Sequence, residues 1–169
     1  MDSGDKHPIK IRPLQIKDYE MVLAWSKDDV FCVANGWEIN RSSEELHKWW
    51  IQCVERQPKD FRRMGVEYKE RLIGYADLAL INNHTAELGI AIGERGLWGS
   101  GFGSAAARCM MDYATENLGI TILTAETHEE NIRSQKLLEK IGFQEISRIG
   151  FEMYKGKENQ LIQYRFRYE

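Results

Sequence analysis

Apolar and polar positions change period several times along the chain, and each change marks an element. Residues 9–12 (IKIR) alternate like a short strand and stop at Pro13. Ile16, Tyr19, Val22 and Leu23 then return at helical spacing. A second helix is predicted over residues 42–57. Ser42 and Glu45 stand at capping-box spacing, Leu46, Trp49, Trp50, Cys53 and Val54 form one stripe, and Pro58 lies just beyond. Three strand-like runs follow at 62–68, 71–81 and 85–93, separated by KER and NNH, so an antiparallel meander is predicted.

The second half opens with GLWGSGFGSAAARCMMDYA (96–114), in which four glycines precede an alanine-rich helix reaching about Leu118. Ala106, Cys109, Met110, Tyr113 and Ala114 give that helix its buried stripe. β-Branched residues in ITILTAETH (120–128) predict a buried strand. Residues 131–142 (NIRSQKLLEKIG) read as a short helix with Asn131 placed to cap it and Gly142 at its end. A strand over roughly 144–154 and a KGKEN connection at 155–159 come next. The tail strand carries Ile162, Tyr164, Phe166 and Tyr168 on one face and Gln163, Arg165 and Arg167 on the other. The order β-α-α-β-β-β-α-β-α-β-β predicts an α+β fold in one domain, 1–169. Its sheet would be mixed and mostly antiparallel, with seven strands and four flanking helices. A cleft is expected where helices follow the fourth and fifth strands.

Composition narrows the function classes. The chain has 169 residues, 43% apolar and 29% charged, ordinary for a globular protein able to build a core without staples. Its net charge of −3 leaves no basic excess for nucleic acid. Cys32, Cys53 and Cys109 are odd in number and far apart, so neither a metal site nor a disulfide framework is expected. Residues 1–10 (MDSGDKHPIK) lack the apolar core of a signal peptide, and no apolar run approaches the roughly 20 residues that span a bilayer. A cytoplasmic protein is the expectation.

The glycine turn carries the chemistry. It is not a Walker A loop, because Phe102 follows Gly101 where Lys-Ser/Thr is required. It is not a dinucleotide fingerprint either, because Ser104 stands where the third glycine belongs. Strand, glycine-rich loop and helix nevertheless present free N–H groups and a helix dipole, a pattern suited to an anion or to a purely structural turn.

The stretch Trp98-Gly99-Ser100-Gly101-Phe102-Gly103 resembles the Q/R-x-x-G-x-G/A signature of the GCN5-related N-acetyltransferases (GNAT), with Trp in place of Gln/Arg. The W-G-x-G pattern is similar to the Rim-type branch, which acetylates ribosomal-protein N-termini. NIRSQKLLEKIGF (131–143) resembles the second family signature, N-x-x-S/A-x-x-h-h-x-x-x-G-F, and IRPLQIKDYEMVLAW resembles the first strand and helix. The resemblance thus covers nearly the whole chain. It implies acetyl-CoA as co-substrate in a cleft formed by a splayed parallel strand pair. The pyrophosphate would lie on N–H groups of Trp98, Gly99, Ser100, Gly101, Phe102, Gly103 and Ser104. The pantetheine would run along Leu88, Ile90, Ala91 and Ile92, and Asn131 would also contact the cofactor.

Acetyl transfer to an amine needs a neutral nucleophile, an oxyanion donor and a proton for the thiolate. A lysine-like amine with a reference pKa near 10.4 lies about 4.6 kcal/mol from neutral at pH 7, whereas an α-amine near 8 faces only about 1.4 kcal/mol. A side-chain amine or polyamine therefore needs a base more than a peptide N-terminus does. Glu87 matches the position where several family members carry a glutamate, and is the first candidate base. Glu152 is a candidate substrate-facing carboxylate, and His128 a further base candidate that reads equally as a solvated loop histidine. The tyrosine acid of many members, seven residues after the motif Asn, is replaced by Leu138. Ser134 could donate to the thiolate or complete the helix terminus, and a backbone N–H around Ile90 would hold the oxyanion.

For the acceptor the resemblance points to residues 28–40 (DDVFCVANGWEIN), with Asp28, Asp29, Trp49, Trp50 and Asp77. At least one of the two tryptophans reads as packing. Expected acceptors are a peptide N-terminus or a small amine, with polyamines or aminoglycosides as an alternative and a CoA-binding module without turnover as another. A homodimer paired through the tail strand is a further expectation.

Overall fold

Lys69 (φ 50°) and Glu70 (φ 63°) both adopt the left-handed conformation and turn the chain between the first two strands of the meander. In the computed structural model, which describes residues 8–169, those strands are β2 (Arg62–Tyr68) and β3 (Arg71–Asn82), followed by β4 (Thr85–Ile92). β1 (Ile9–Pro13) pairs antiparallel with β2. Three helices lie between β1 and β2: α1 (Tyr19–Ser26), α2 (Asp29–Asn35) and α3 (Ser43–Glu55). The chain then runs α4 (Phe102–Leu118), β5 (Ile122–His128), α5 (Ile132–Lys140), β6 (Gln144–Ser147), β7 (Phe151–Tyr154) and β8 (Lys157–Arg167). The sheet order is β1-β2-β3-β4-β5-β8-β6, with β7 beside β6 along the same edge of β8. The expectation that residues 1–10 lack a signal-peptide core rests largely on residues 1–7, which lie outside the described residues.

Among the described residues there are eight strands and five helices, one more of each than the pattern predicts. The additional helix is α2. The Asp28 carboxylate accepts hydrogen bonds from the N–H groups of Val30 and Phe31, and Gly36 ends the helix at φ 70°. Seven residues are too few to reveal a period. The additional strand comes from a break in the run 144–154. Gly150 (φ 91°) bends the chain, and the Gln163 side chain replaces the missing ladder, accepting from Ile149 N (2.9 Å) and donating to Ile149 O (2.8 Å). The KGKEN connection is also shorter than predicted. Lys155 and Gly156 alone make the hairpin, and residues 157–159 already belong to β8.

β8 offers no free edge for pairing across a two-fold axis. It is flanked by β5 on one side and by β6 and β7 on the other.

Each sheet face has its own core. α4 and α5 cover one, burying Leu88, Leu123, Ala125, Ile162 and Tyr164 against Ala106, Met110 and Leu138. α1, α2 and α3 cover the other, where Val22, Trp25, Phe31, Leu46 and Trp50 pack on Tyr75 and Ala91. β4 and β5 are parallel neighbours over only three rungs, Thr85–Ile122, Ala86–Leu123 and Glu87–Thr124. Beyond them the strands diverge, and the sheet has a gap at its centre.

Candidate active site

The gap opens into a cavity of about 530 Å³ walled by β4, β5, the loop before α4, and α5. The loop owes its shape to Gly99 (φ 76°) and Gly101 (φ 93°), both in a region costly for any side chain. Trp98 fastens it to the sheet by donating its indole N–H to Ile92 O at 2.8 Å. Gly103 allows α4 to approach α5, since a Cβ there would stand 2.8 Å from Leu137 Cδ1. The N-terminal turn of α4 thus lies against the cavity, with Gly103 and Ser104 in its wall.

Of the loop residues singled out in the sequence, Trp98, Gly99, Gly101, Gly103 and Ser104 form the wall. Ser100 is exposed and Phe102 buried, its ring edge-on to Tyr68, and neither is part of the wall. Leu88, Ile90, Ala91 and Ile92 line the β4 side. Asn131 and Ser134 lie opposite, where the Asn131 side chain accepts from Ser134 N at 3.1 Å and caps α5. Leu138 is buried and lines the wall without offering a proton.

Sequence reasoning missed the cations. Arg133, Lys136 and Lys140 line the cavity from α5, and no carboxylate among the described residues pairs with them. Partial desolvation draws the Arg133 guanidinium below its usual range. Its Cζ lies 3.8 Å from the ring centroid of Trp98. Loop amides together with unpaired cations fit the diphosphate of a nucleotide-like ligand. Among the described residues no group of His, Cys, Asp and Glu could hold a metal, and no helix is long and apolar enough to cross a membrane.

The opposite side of the gap is acidic. Side chains alternate along strands, so Glu87 on β4 and Glu126 and His128 on β5 face away from α4 and α5. Glu87 stands at the last paired rung, just below the wall that Glu126 and His128 line. Burial, and then Glu126, pushes the Glu87 carboxyl above the ordinary range. Glu152 is exposed on β7, outside the cavity wall, with its Oε1 3.3 Å from His128 Nε2.

The predicted acceptor residues separate. Trp50 is core and donates to Gln15 O, and Asp28 caps α2 while pairing with Arg95 at 2.8 Å. Asp77 is held by both Nε (2.7 Å) and Nη2 (2.8 Å) of Arg63. Trp37 and Trp49 meet edge to face at 5.2 Å, and Trp37 donates to Tyr75 Oη, whose pKa burial pushes up to about 12. Ala34 and Asn35 of α2 line the cavity, the contact between this helical cap and the cleft.

The family described as Acetyltransferase (GNAT) domain matches residues 9–144. Uncharacterized N-acetyltransferase p20 of Bacillus licheniformis is 33% identical over 142 residues, 80% of this chain and 79% of that protein. Uncharacterized protein MJ1062 of Methanocaldococcus jannaschii is 29% identical over 94% of this chain, which spans only 31% of its length. Among solved structures, spermidine N-acetyltransferase from Vibrio cholerae in complex with CoA and spermine superposes with a TM-score of 0.81 at 22% identity, covering 94% of this chain and 95% of that one. A GNAT-family acetyltransferase from Bacillus anthracis gives 0.78 at 18% identity, over 97% and 96%. At such identities these structures share the fold. The match over most of the chain, on a sheet that splays where the glycine loop meets α5, makes this protein a member of the GNAT acetyltransferase family.

Proposed function

We propose that the protein transfers an acetyl group from acetyl-CoA to a primary amine, and that the acceptor is a small polycation. The observation that carries the acceptor class is the charge asymmetry of the gap. Arg133, Lys136 and Lys140 stand on one side, and on the other Glu87 and Glu126 have no lysine or arginine partner among the described residues. An anionic donor and a cationic acceptor would thus approach from opposite faces of the sheet. The Vibrio cholerae neighbour, described with CoA and spermine, supports the same class.

In this reading the amides of Gly99, Gly101, Gly103 and Ser104, with Arg133, hold the diphosphate, Asn131 adds a polar contact, and the Trp98 N–H, expected to join them, is instead spent on Arg95 O at 3.0 Å. Acetyl-CoA brings the activated thioester carbonyl. Past Glu87 the β5-facing edge of β4 has no ladder partner, and the N–H of Ile90 is the group we assign to the oxyanion. Ser134 donates to the departing sulfur, whose reference pKa near 8.5 demands little help. Glu87 and Glu126 hold the acceptor's positive charge.

A peptide N-terminus is the second reading, favoured by the W-G-x-G form of the loop. Self-association belongs to the proposal too. Ile146, Ile149, Phe151 and Met153 are exposed apolar residues along β6, β7 and the bend between them, and one neighbour is described as dodecameric. The lack of a disulfide among the cysteines of the described residues supports a reducing, cytoplasmic setting.

A free-thiol release assay with polyamines, aminoglycosides, amino acids and short peptides tests the reading. Polyamines are expected to give the highest kcat/KM. Preference for peptides would establish the second reading, and CoA binding without thiol release for any amine would leave a binding module.

A further inference from the structure

His128, at the end of β5, and Glu152, 24 residues later on β7, meet at the mouth of the cavity. β8 brings them together, because it pairs with β5 along one edge and with β7 along the other. The imidazole is clamped. Its ring lies flat on Tyr154, centroids 4.4 Å apart and planes 8° from parallel. Its main-chain oxygen accepts from Asn131 N at 2.9 Å and from Gln135 Nε2 at 3.1 Å. Nε2 faces Glu152 Oε1 at 3.3 Å, and Nδ1 has no protein partner among the described residues. The side chain is 19% exposed, on the cavity wall.

We propose that His128 accepts the proton of the incoming ammonium and that Glu152 is its positioning residue. Glu152 accepts a hydrogen bond from Nε2–H, which fixes the tautomer and leaves Nδ1 as the base. This inference rests on the acetyl-transfer reading above. The step balances as follows. The ammonium gives one proton to Nδ1, and the freed lone pair attacks the thioester carbonyl carbon. The C–N bond forms, the C–S bond breaks, and the amine's second departing proton reaches the thiolate. The imidazolium then returns its proton to water. The products are the amide, CoA thiol and one released proton. Glu87 stands below the wall at the last paired rung, whereas His128 lies on it. Of the ionisable groups around the imidazole, Glu152 and Tyr154 of β7 touch it, Glu126 shares its face of β5, and Arg133 and Lys136 of α5 line the same cavity.

The test is the pH dependence of kcat/KM for wild type, His128→Gln and Glu152→Gln, with spermidine and an N-terminal alanine peptide as probes and calorimetric CoA affinity as the check on folding. The wild type is expected to lose activity as pH falls through the imidazole range. His128→Gln should lower kcat about 100-fold near neutral pH, lose that limb and recover as the amine deprotonates by itself, with CoA affinity within about threefold. Glu152→Gln should lower kcat several-fold while the amine KM stays unchanged, a split that lost packing alone does not produce. If His128→Gln binds CoA poorly, His128→Ala with added imidazole replaces it, and restored turnover supports the assignment. An unchanged limb in an active His128→Gln enzyme, or no imidazole rescue, overturns the dyad alone. A wild type that releases no thiol with either probe overturns the acetyl-transfer reading as well.

Discussion

The guanidinium of Arg133 lies 3.8 Å from the centroid of the Trp98 indole, joining the glycine loop to α5 across the cavity. The family signature places Gln or Arg at the position of Trp98; here the cation beside the loop is Arg133 of the facing helix. The indole fixes the cation by stacking and supplies the packing surface that a glutamine would not.

Arg133→Ala is therefore expected to weaken acetyl-CoA about tenfold, the scale of a hydrogen bond to a charged group. Arg133→Lys should recover only part, because an ammonium neither stacks nor forks. Calorimetry against acetyl-CoA and against a phosphate-free pantetheine thioester checks this, and only the former should change.

Gly101→Val places a β-branched residue at φ 93°. The strain of such a conformation is about 1–3 kcal/mol, and relaxing it must move the amides of the loop. CoA affinity is expected to drop at least tenfold by calorimetry. Unchanged binding would remove the loop from the diphosphate site.

Glu87→Gln tests the acidic face. A carboxyl raised by burial binds its proton more tightly folded than unfolded, so its contribution to stability falls as pH climbs above the unfolded value. The glutamine variant should unfold at a slightly higher temperature than wild type at pH 7, by roughly 1–2 °C, with no gain at pH 4. Its KM for a polyamine should rise several-fold, while KM for a singly charged amine should rise less.

Asp77→Ala should act on stability and leave acceptor KM alone. The carboxylate is burdened by desolvation but held by both arms of Arg63, itself packed over Tyr75 at 4.3 Å. Removing one partner of a buried pair costs about 3–5 kcal/mol, whereas replacing both with apolar residues restores most of it. Thermal unfolding of Asp77→Ala beside an Arg63→Met, Asp77→Leu double variant separates the two.

Much of this architecture was legible because its signals are local. The meander could be placed nearly to the residue, since two-residue turns punctuate strand-like runs, and Ser42 and Asn131 cap their helices with their own side chains. Elements without local signals were not legible. α2 is too short to show a period, and the break after Ser147 depends on Gln163, sixteen residues away. The same holds for the site. Its glycine loop and Asn131–Ser134 turn are contiguous motifs, whereas Arg133 reads as an ordinary exposed helix residue until α5 is set against Trp98.

The order of the chain alone determined most of the elements, the family and the glycine loop before α4, because turn geometry, capping and periodicity are encoded within a few residues of each other. Tertiary structure alone decided which charges share a space. Asp77 went to Arg63, Asp28 to Arg95 and Glu152 to His128, each across fourteen residues or more. Such pairings depend on strand register and on where two parallel strands part, and neither is a property of any short stretch of sequence.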